Sequence, residues 1–271
     1  MVTGMLEAKN LTVRLEGRAI VADMDFSALA GEVTAIVGPN GSGKSTLLKA
    51  LCNDVPASGT VRLNGRDLRS MKPWEAATLR AVLPQASVLT FPFTVHEVVR
   101  MGLTAGVSGA GRAADRHLPD EALRRVDLGG FGGRLYQTLS GGEQQRAQLA
   151  RVLCQVWQPV LDGAPRFLLL DEPIASLDIK HQLLVMEIAR DFAQAGGGVV
   201  AILHDLNLAA LHADRLLAIK DGRAVAFGRP ADILDAGLIA DVFDCDLTAI
   251  AHPGGGRVFA PPLPTMTRRS A

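Results

Sequence analysis

Cysteine is scarce, with three in 271 residues, at Cys52, Cys154 and Cys245. They are far apart, odd in number and form no C-x-x-C pair. That argues against a disulfide framework or a cysteine-based zinc site and fits a reducing compartment. They read as ordinary thiols in or near the core. Excess charge of either sign is also missing, since 28 Lys and Arg face 28 Asp and Glu. The broadly basic surface that bulk nucleic-acid binding needs is therefore absent, and no nucleic-acid partner is expected. No apolar run reaches about 18 residues, so no transmembrane helix is expected. The opening MVTGMLEAKN has no apolar segment of the signal-peptide kind. Internal repeats are lacking too. The expectation is a soluble, cytoplasmic chain that meets a membrane only through a partner.

What is present is apolar material in short, regular pieces. Hydrophobic residues make up 48% of the chain, enough for a substantial core in one large domain or two small ones. Residues 5–30 alternate loosely and read as edge strands. "EVTAIV" (Glu32 to Val37) is a buried strand feeding a glycine-rich loop, and "STLLKAL" after it has helical spacing. "TVRLNGRDL" predicts a hairpin at Asn64-Gly65, and "LLAIKDGRAVAFG" a second at Asp221-Gly222. Residues 73–103 read as mainly helical, broken by "LPQ" and "FPF". Residues 104–114 read as a mobile loop. Residues 119–157 read as helical on both sides of "DLGGFGGR". "RFLLL" and "VVAIL" are two further central strands. The Gly/Pro-rich stretch from about 253 reads as poorly ordered at its end.

Strands alternating with helices imply an α/β fold with a mainly parallel sheet. A β-rich N-terminal third and a helical middle imply two lobes. Ligands bind such sheets at the carboxyl ends of the strands, which directs attention to the residues after Val37, Leu170 and Leu203.

After Val37 comes "GPNGSGKS", a complete G-x-x-x-x-G-K-[ST]. Gly38, Pro39, Asn40, Gly41, Ser42 and Gly43 form a loop whose backbone N–H groups can cradle phosphate oxygens. The following helix adds its N-terminal donors. Lys44 can reach the β- and γ-phosphates, Ser45 can ligate Mg²⁺, and Thr46 can add a phosphate contact. After Leu170 come Asp171, suited to holding Mg²⁺ through water, and Glu172, suited to polarising an attacking water. After Leu203 comes His204, which could contact the γ-phosphate and sense its loss. Gln85, in "LPQ", could touch the metal or the water.

"LSGGEQQR" (Leu139 to Arg146) is different. Ser140 and Glu143 have capping-box spacing, which alone would mean only that a helix begins. Gly141 and Gly142 leave its first turn bare, and a bare helix N-terminus is also an anion site. The loop at Gly38–Ser45 already holds one phosphate tail. A second anion site suggests a phosphate arriving from another direction.

Together these motifs resemble the ABC-transporter ATPase family over roughly residues 5–245. "GPNGSGKST" resembles its Walker A motif, "FLLLDEP" its Walker B and "LSGGEQQR" its signature. Gln85 resembles the Q-loop glutamine, Ser176–Asp178 the D-loop and His204 the switch histidine. The resemblance implies a P-loop NTPase core with an N-terminal antiparallel β subdomain and a helical subdomain at about 86–160. It places the ATPase domain at 1–252 and a tail at 253–271. It implies a head-to-tail dimer in which ATP and Mg²⁺ lie between one Walker A and the other copy's Ser140, Gly141 and Gly142. Glu172, His204 and Gln85 take the catalytic roles, and Ser45, Gln85 and Asp171 the metal. Gln85 and the helices after it pass the motion to integral-membrane permease subunits, from the cytoplasmic side of the inner membrane. Two positions depart from the pattern. Leu15, flanked by Arg14, stands where an aromatic often stacks on adenine, and Ile174 stands where Thr often follows "DEP".

"LPQASVLTFPFTVHEVVRMGL" and the "PVLDGAPR" insert look closest to haem-importer ATPases. That implies a peripheral subunit energising haem uptake, with a haem-binding protein as an indirect partner. ATPases of ferric-siderophore and cobalamin importers share most of the rest and stay open; a soluble ABC ATPase acting on nucleic acid or the ribosome fits less well, since the chain has one Walker A, no coiled-coil heptads and no net basic charge. A small-molecule kinase would leave the signature unexplained. The ATPase is not expected to hold haem itself, so His96, His117 and Cys245 read as ordinary surface or packing residues.

Overall fold

A computed structural model describes residues 4–85, 89–105, 108–111, 114–251 and 256–262. In chain order the elements begin with β1 (Met5–Leu15), β2 (Arg18–Leu29), β3 (Val33–Val37), α1 (Lys44–Leu51), β4 (Ser58–Leu63) and β5 (Arg66–Asp67). Next come α2 (Pro73–Leu79), β6 (Arg80–Leu83), α3 (Val95–Ala105), α4 (Leu118–Arg125) and α5 (Gly141–Gln155). Then follow β7 (Val160–Leu161), β8 (Ala164–Pro165), β9 (Phe167–Asp171), α6 (Ile179–Gln194), β10 (Gly198–Ile202) and α7 (Leu206–His212). The last are β11 (Arg215–Lys220), β12 (Arg223–Gly228), α8 (Pro230–Ile233), α9 (Ala236–Phe243), β13 (Thr248–Ala251) and β14 (Arg257–Ala260).

Two sheets organise these pieces. One is antiparallel, in the order β2-β1-β4-β5. The other has the order β12-β11-β3-β10-β9-β6, with every pairing parallel except that of β12 with β11. Strands β3, β9 and β10 are buried along their whole length, which is why they are continuous apolar runs rather than alternating ones. The parallel sheet separates two cores. On one side Leu47, Leu48 and Leu51 of α1 pack with Ile36, Leu169 and residues of the antiparallel sheet such as Leu6 and Val13. On the other side α3 to α6 pack against Val37, Leu168, Leu170 and Ala201.

Hairpins form at Asn64-Gly65 and Asp221-Gly222, with both residues of each pair at positive φ, the geometry that Asn-Gly and Asp-Gly favour. Elsewhere the structure departs from expectation. Residues 80–82, expected to be helical, and Leu83 of the expected break form β6, paired with β9 from Arg80↔Phe167 to Leu83↔Leu170. Ala81 and Leu83 point into the core, and Pro84 disfavours a helix through Leu83. The 160–165 insert is itself a small hairpin, β7–β8, turning at Asp162-Gly163.

In the segment expected to be a mobile loop, residues 106, 107, 112 and 113 lie outside the described residues. Ser108 within it is buried, and its carbonyl accepts from Arg166 Nη1 at 2.9 Å. Strands β13 and β14, which pair antiparallel, lie on either side of the expected boundary at 252/253. Phe259 is buried, and its backbone exchanges hydrogen bonds with the Asn207 amide of α7 (2.8 and 3.1 Å). The chain end expected to be poorly ordered, 263–271, lies outside the described residues. Cys52 and Cys154 are buried, whereas Cys245 is exposed.

Candidate active site

Four parallel strands deliver the site, not three. The loop after β3 carries Gly38 to Gly43, β9 ends in Asp171 with Glu172 just after it, and β10 leads to His204. Strand β6 leads to Gln85, so this glutamine also stands at a strand's carboxyl end. A cleft of about 650 Å³ opens there. It is lined by Leu15, Ile20, Asn40, Gly41, Gly43, Lys44, Ser45, Thr46, Gln85, Glu172 and His204. That volume suits a nucleotide-sized ligand.

The loop needs its glycines. Gly38 has φ 157°, and a Cβ there would stand 2.2 Å from the Ile219 carbonyl oxygen. Gly43 has φ 100°, and its Cβ would stand 2.7 Å from the Ile20 carbonyl oxygen. Gly43 also caps α1 without any side-chain bond, so the first amides of that helix face the cleft uncapped. Lys44 Nζ donates to the carbonyls of Gly38 (2.9 Å) and Pro39 (2.8 Å). Burial lowers its pKa from the ordinary range, while Glu172 and Asp171 pull it back up. An ammonium in that setting gains by trading carbonyls for phosphate oxygens. Ser42 of this loop is buried.

The Ser45 hydroxyl donates to Asp171 Oδ1 at 3.0 Å. Burial raises the Asp171 pKa above the usual carboxylate range; the Ser45 bond opposes this and the nearby Glu172 adds to it. A buried, reluctant carboxylate beside a hydroxyl suits a hard divalent cation. Among the described residues, no three His, Cys, Asp or Glu side chains converge on one metal position. A cation here would share one hydroxyl and one carboxylate with the phosphates of a nucleotide, which is how Mg²⁺ is usually held.

Glu172 sits between two partners. Its Oε2 accepts from Gln85 Nε2 at 2.9 Å, and its Oε1 lies 2.6 Å from His204 Nε2. Its backbone is left-handed, with φ 52°, a conformation that costs a residue other than Gly, Asn or Asp about 1–3 kcal/mol. The strand-end expectation located the residue but not this strain. Two contributors went unread in the sequence. Ile20 joins Leu15 as aliphatic lining of the cleft. Gln145 Nε2 donates to the Glu172 carbonyl oxygen at 2.7 Å. A signal for Gln145 existed, because it shares a helical face with the buried Leu149 and Val152.

Ser140, Gly141 and Gly142 lie apart from the cleft lining of their own chain. The capping box forms: Ser140 N and Oγ both donate to Glu143 Oε2 (2.7 and 2.8 Å), and Glu143 N donates to Ser140 Oγ (3.3 Å). Gly142 packs on the segment after Glu172, where an added Cβ would stand 3.0 Å from the Ser176 carbonyl oxygen. Asp178 caps α6 by accepting from His181 N. His96 and His117 are not part of the cleft lining.

Comparison with known proteins gives one consistent answer. The family described as ABC transporter matches residues 21–175. The hemin import ATP-binding protein HmuV of Mesorhizobium japonicum is 60% identical over 258 residues, covering 95% of this chain and 98% of that one. The protein of the same name from Chelativorans sp. is 56% identical, covering 97% of this chain and all of that one. Among solved structures, an ATP-binding subunit of an ABC transporter superposes with a TM-score of 0.74 at 25% identity, covering 89% and 93% of the two chains. An inward-facing metal-chelate type ABC transporter shares the fold with a TM-score of 0.76 at 23% identity, covering 97% and 98%.

Proposed function

This chain belongs to the ABC transporter ATP-binding family, and on that premise we propose that it is the ATP-hydrolysing subunit of a haem importer. The observation that carries the hydrolytic role is Glu172, held by Gln85 and His204 at the edge of a cleft that also presents Lys44 and Ser45. The haem assignment draws on the two relatives named for hemin import, each matched over nearly its full length.

In the proposed site, the amides of Gly38–Thr46 and the Lys44 ammonium bind the phosphate tail. Leu15 and Ile20 give the base an aliphatic surface instead of an aromatic one. Ser45, Asp171 and Gln85 would hold Mg²⁺, whose chemistry when bound is to neutralise charge on the β- and γ-phosphates. Glu172 accepts the proton of the water that attacks the γ-phosphorus, and ADP leaves as the bond to the β,γ-bridging oxygen breaks. His204 turns from Glu172 to the γ-phosphate and so reports its loss. Ser140, Gly141 and Gly142 serve the γ-phosphate held by a second copy, because their own cleft lies elsewhere.

The working unit is then a head-to-tail dimer, bound to permease subunits on the cytoplasmic face of the inner membrane and supplied by an extracytoplasmic haem-binding protein. Residues 1–252 would form the ATPase domain, with the helical subdomain at about 86–160 meeting the permease. Among the described residues no helix is long and apolar enough to cross a membrane, which is consistent with a peripheral subunit.

Two measurements test this. Glu172→Gln should slow hydrolysis at least about 100-fold while ATP binding stays within about twofold; near-normal turnover would remove Glu172 from the base role. In vesicles reconstituted with the permease, haem-loaded binding protein should stimulate ATP hydrolysis. Stimulation by a siderophore- or cobalamin-loaded protein instead would overturn the haem assignment.

A further inference from the structure

Glu172 adopts a backbone conformation that glutamate rarely takes unaided. Its carbonyl oxygen receives two donors. One is the Ala175 amide at 3.4 Å, a long turn bond. The other is Gln145 Nε2 at 2.7 Å, reaching across from α5. Gln145 Oε1 is buried and has no partner among the described residues. An apolar side chain of the same shape would avoid that unpaired acceptor, whose lost hydration nothing offsets. The amide is therefore best explained by where its donor goes.

Helix α5 is a firm base for that donor. Its first turn is fixed by the Ser140–Glu143 capping box, and Arg146 Nη1 donates to the carbonyls of Val126 (2.9 Å) and Asp127 (2.8 Å). Gln145 lies one turn beyond Ser140–Gly142 on this helix. We propose that Gln145 is a positioning residue that fixes the left-handed backbone of Glu172, and so aims its carboxylate between Gln85 and His204. The inference rests on Glu172 being the hydrolytic base. In the dimer it gives one helix two duties. The first turn of α5 serves the partner's ATP, and its second turn sets the carboxylate of its own site. A shift of α5 as the dimer closes reaches the Glu172 carbonyl through this hydrogen bond.

The test is a double-mutant cycle on the full-length chain, read as kcat and KM for ATP. Gln145→Met keeps the shape and removes the donor. It should lower kcat about tenfold, roughly the rate equivalent of the lost hydrogen bond, with KM within about twofold. In a Glu172→Gln background the same change should alter the residual rate less than about twofold, because the group being aimed is gone. If the Met variant does not fold, Gln145→Asn carries the cycle, since it withdraws the donor by one methylene. An unchanged kcat, or an equal loss in both backgrounds, would overturn the positioning role while leaving Glu172 as base. Normal turnover of Glu172→Gln alone would overturn both.

Discussion

Two helices in this molecule begin with the same device, and only one of them is left open. At α3, Thr94 N and Oγ1 donate to Glu97 Oε2, and Glu97 N donates to Thr94 Oγ1. At α5, Ser140 and Glu143 repeat those three bonds almost distance for distance. The residues between differ. The first turn of α3 holds Val95 and His96, whose amides donate to the carbonyls of Arg134 (2.9 Å) and Gly132 (3.0 Å). The first turn of α5 holds Gly141 and Gly142, whose amides have no acceptor among the described residues. Both helix starts are capped; the second also keeps two donors and a positive dipole end facing outward. A capping box announces a helix, and the bare glycines after it announce a ligand.

The largest effect that separates the two starts is a matched arginine substitution. Ser140→Arg should cut ATP hydrolysis at least about 100-fold, the scale of losing preorganised donors to a transition-state phosphate, while a single chain still binds ATP. Thr94→Arg should leave the rate per folded molecule within about twofold, since it removes only the cap hydroxyl. Steady-state ATPase assays and equilibrium nucleotide binding check both. Equal losses in the two variants would break the distinction.

The caps themselves should behave alike. Ser140→Ala should lower the melting temperature by about 2–4 °C, the shift expected for a cap worth about 1 kcal/mol, and Thr94→Ala by a similar amount. The pH dependence has a definite sign. Backbone and hydroxyl donors from Ser140 and Thr94 hold the Glu143 and Glu97 carboxyls below the usual range. Their contribution is present above the ordinary glutamate value of about 4.3 and is lost as pH falls through the lowered values. Thermal melts should therefore show the gap between wild type and the alanine variants narrowing in acid, to what the Glu143 N and Glu97 N bonds to the cap hydroxyls leave. A gap that stays constant with pH would contradict the shared box.

The smallest effect concerns a carboxylate whose charge is penalised by burial. Ionised Asp171 opposes folding because burial raises its pKa. Below the ordinary aspartate value the proton removes that penalty, and above the raised value the penalty is complete. Asp171→Asn should therefore raise the melting temperature of the nucleotide-free chain at neutral pH by about 1–2 °C and remove the further gain that Mg²⁺ with ATP gives wild type. A lower melting temperature would mean that the carboxylate is paired, not penalised.

Much of this was legible in advance, for local reasons. The strands β3, β9 and β10 are unbroken apolar runs because both their faces are covered. Asn64-Gly65 and Asp221-Gly222 declared their turns through left-handed backbone that few other residues accept. The misses are long-range. Strand β6 has four residues and two buried side chains, too short a pattern to stand out beside α2, and its pairing partner lies over eighty residues away. The strand-end position of Gln85 was hidden with it. Strand β14 owes its place to Phe259 packing and to the Asn207 amide, contacts that no local pattern announces. Gln145 stands in the signature stretch, but its acceptor is a backbone carbonyl 27 positions further along, which no local pattern announces.

The open helix start makes sense if a second copy supplies the phosphate, and light scattering in solution tests that most directly. With Mg²⁺ and ATP, the hydrolysis-impaired Glu172→Gln chain should double its mass, and adding Ser140→Arg should return it to a monomer that still binds ATP. A Glu172→Gln chain that stays monomeric with ATP bound, or a dimer that survives Ser140→Arg, would contradict a site completed by the partner's first turn of α5.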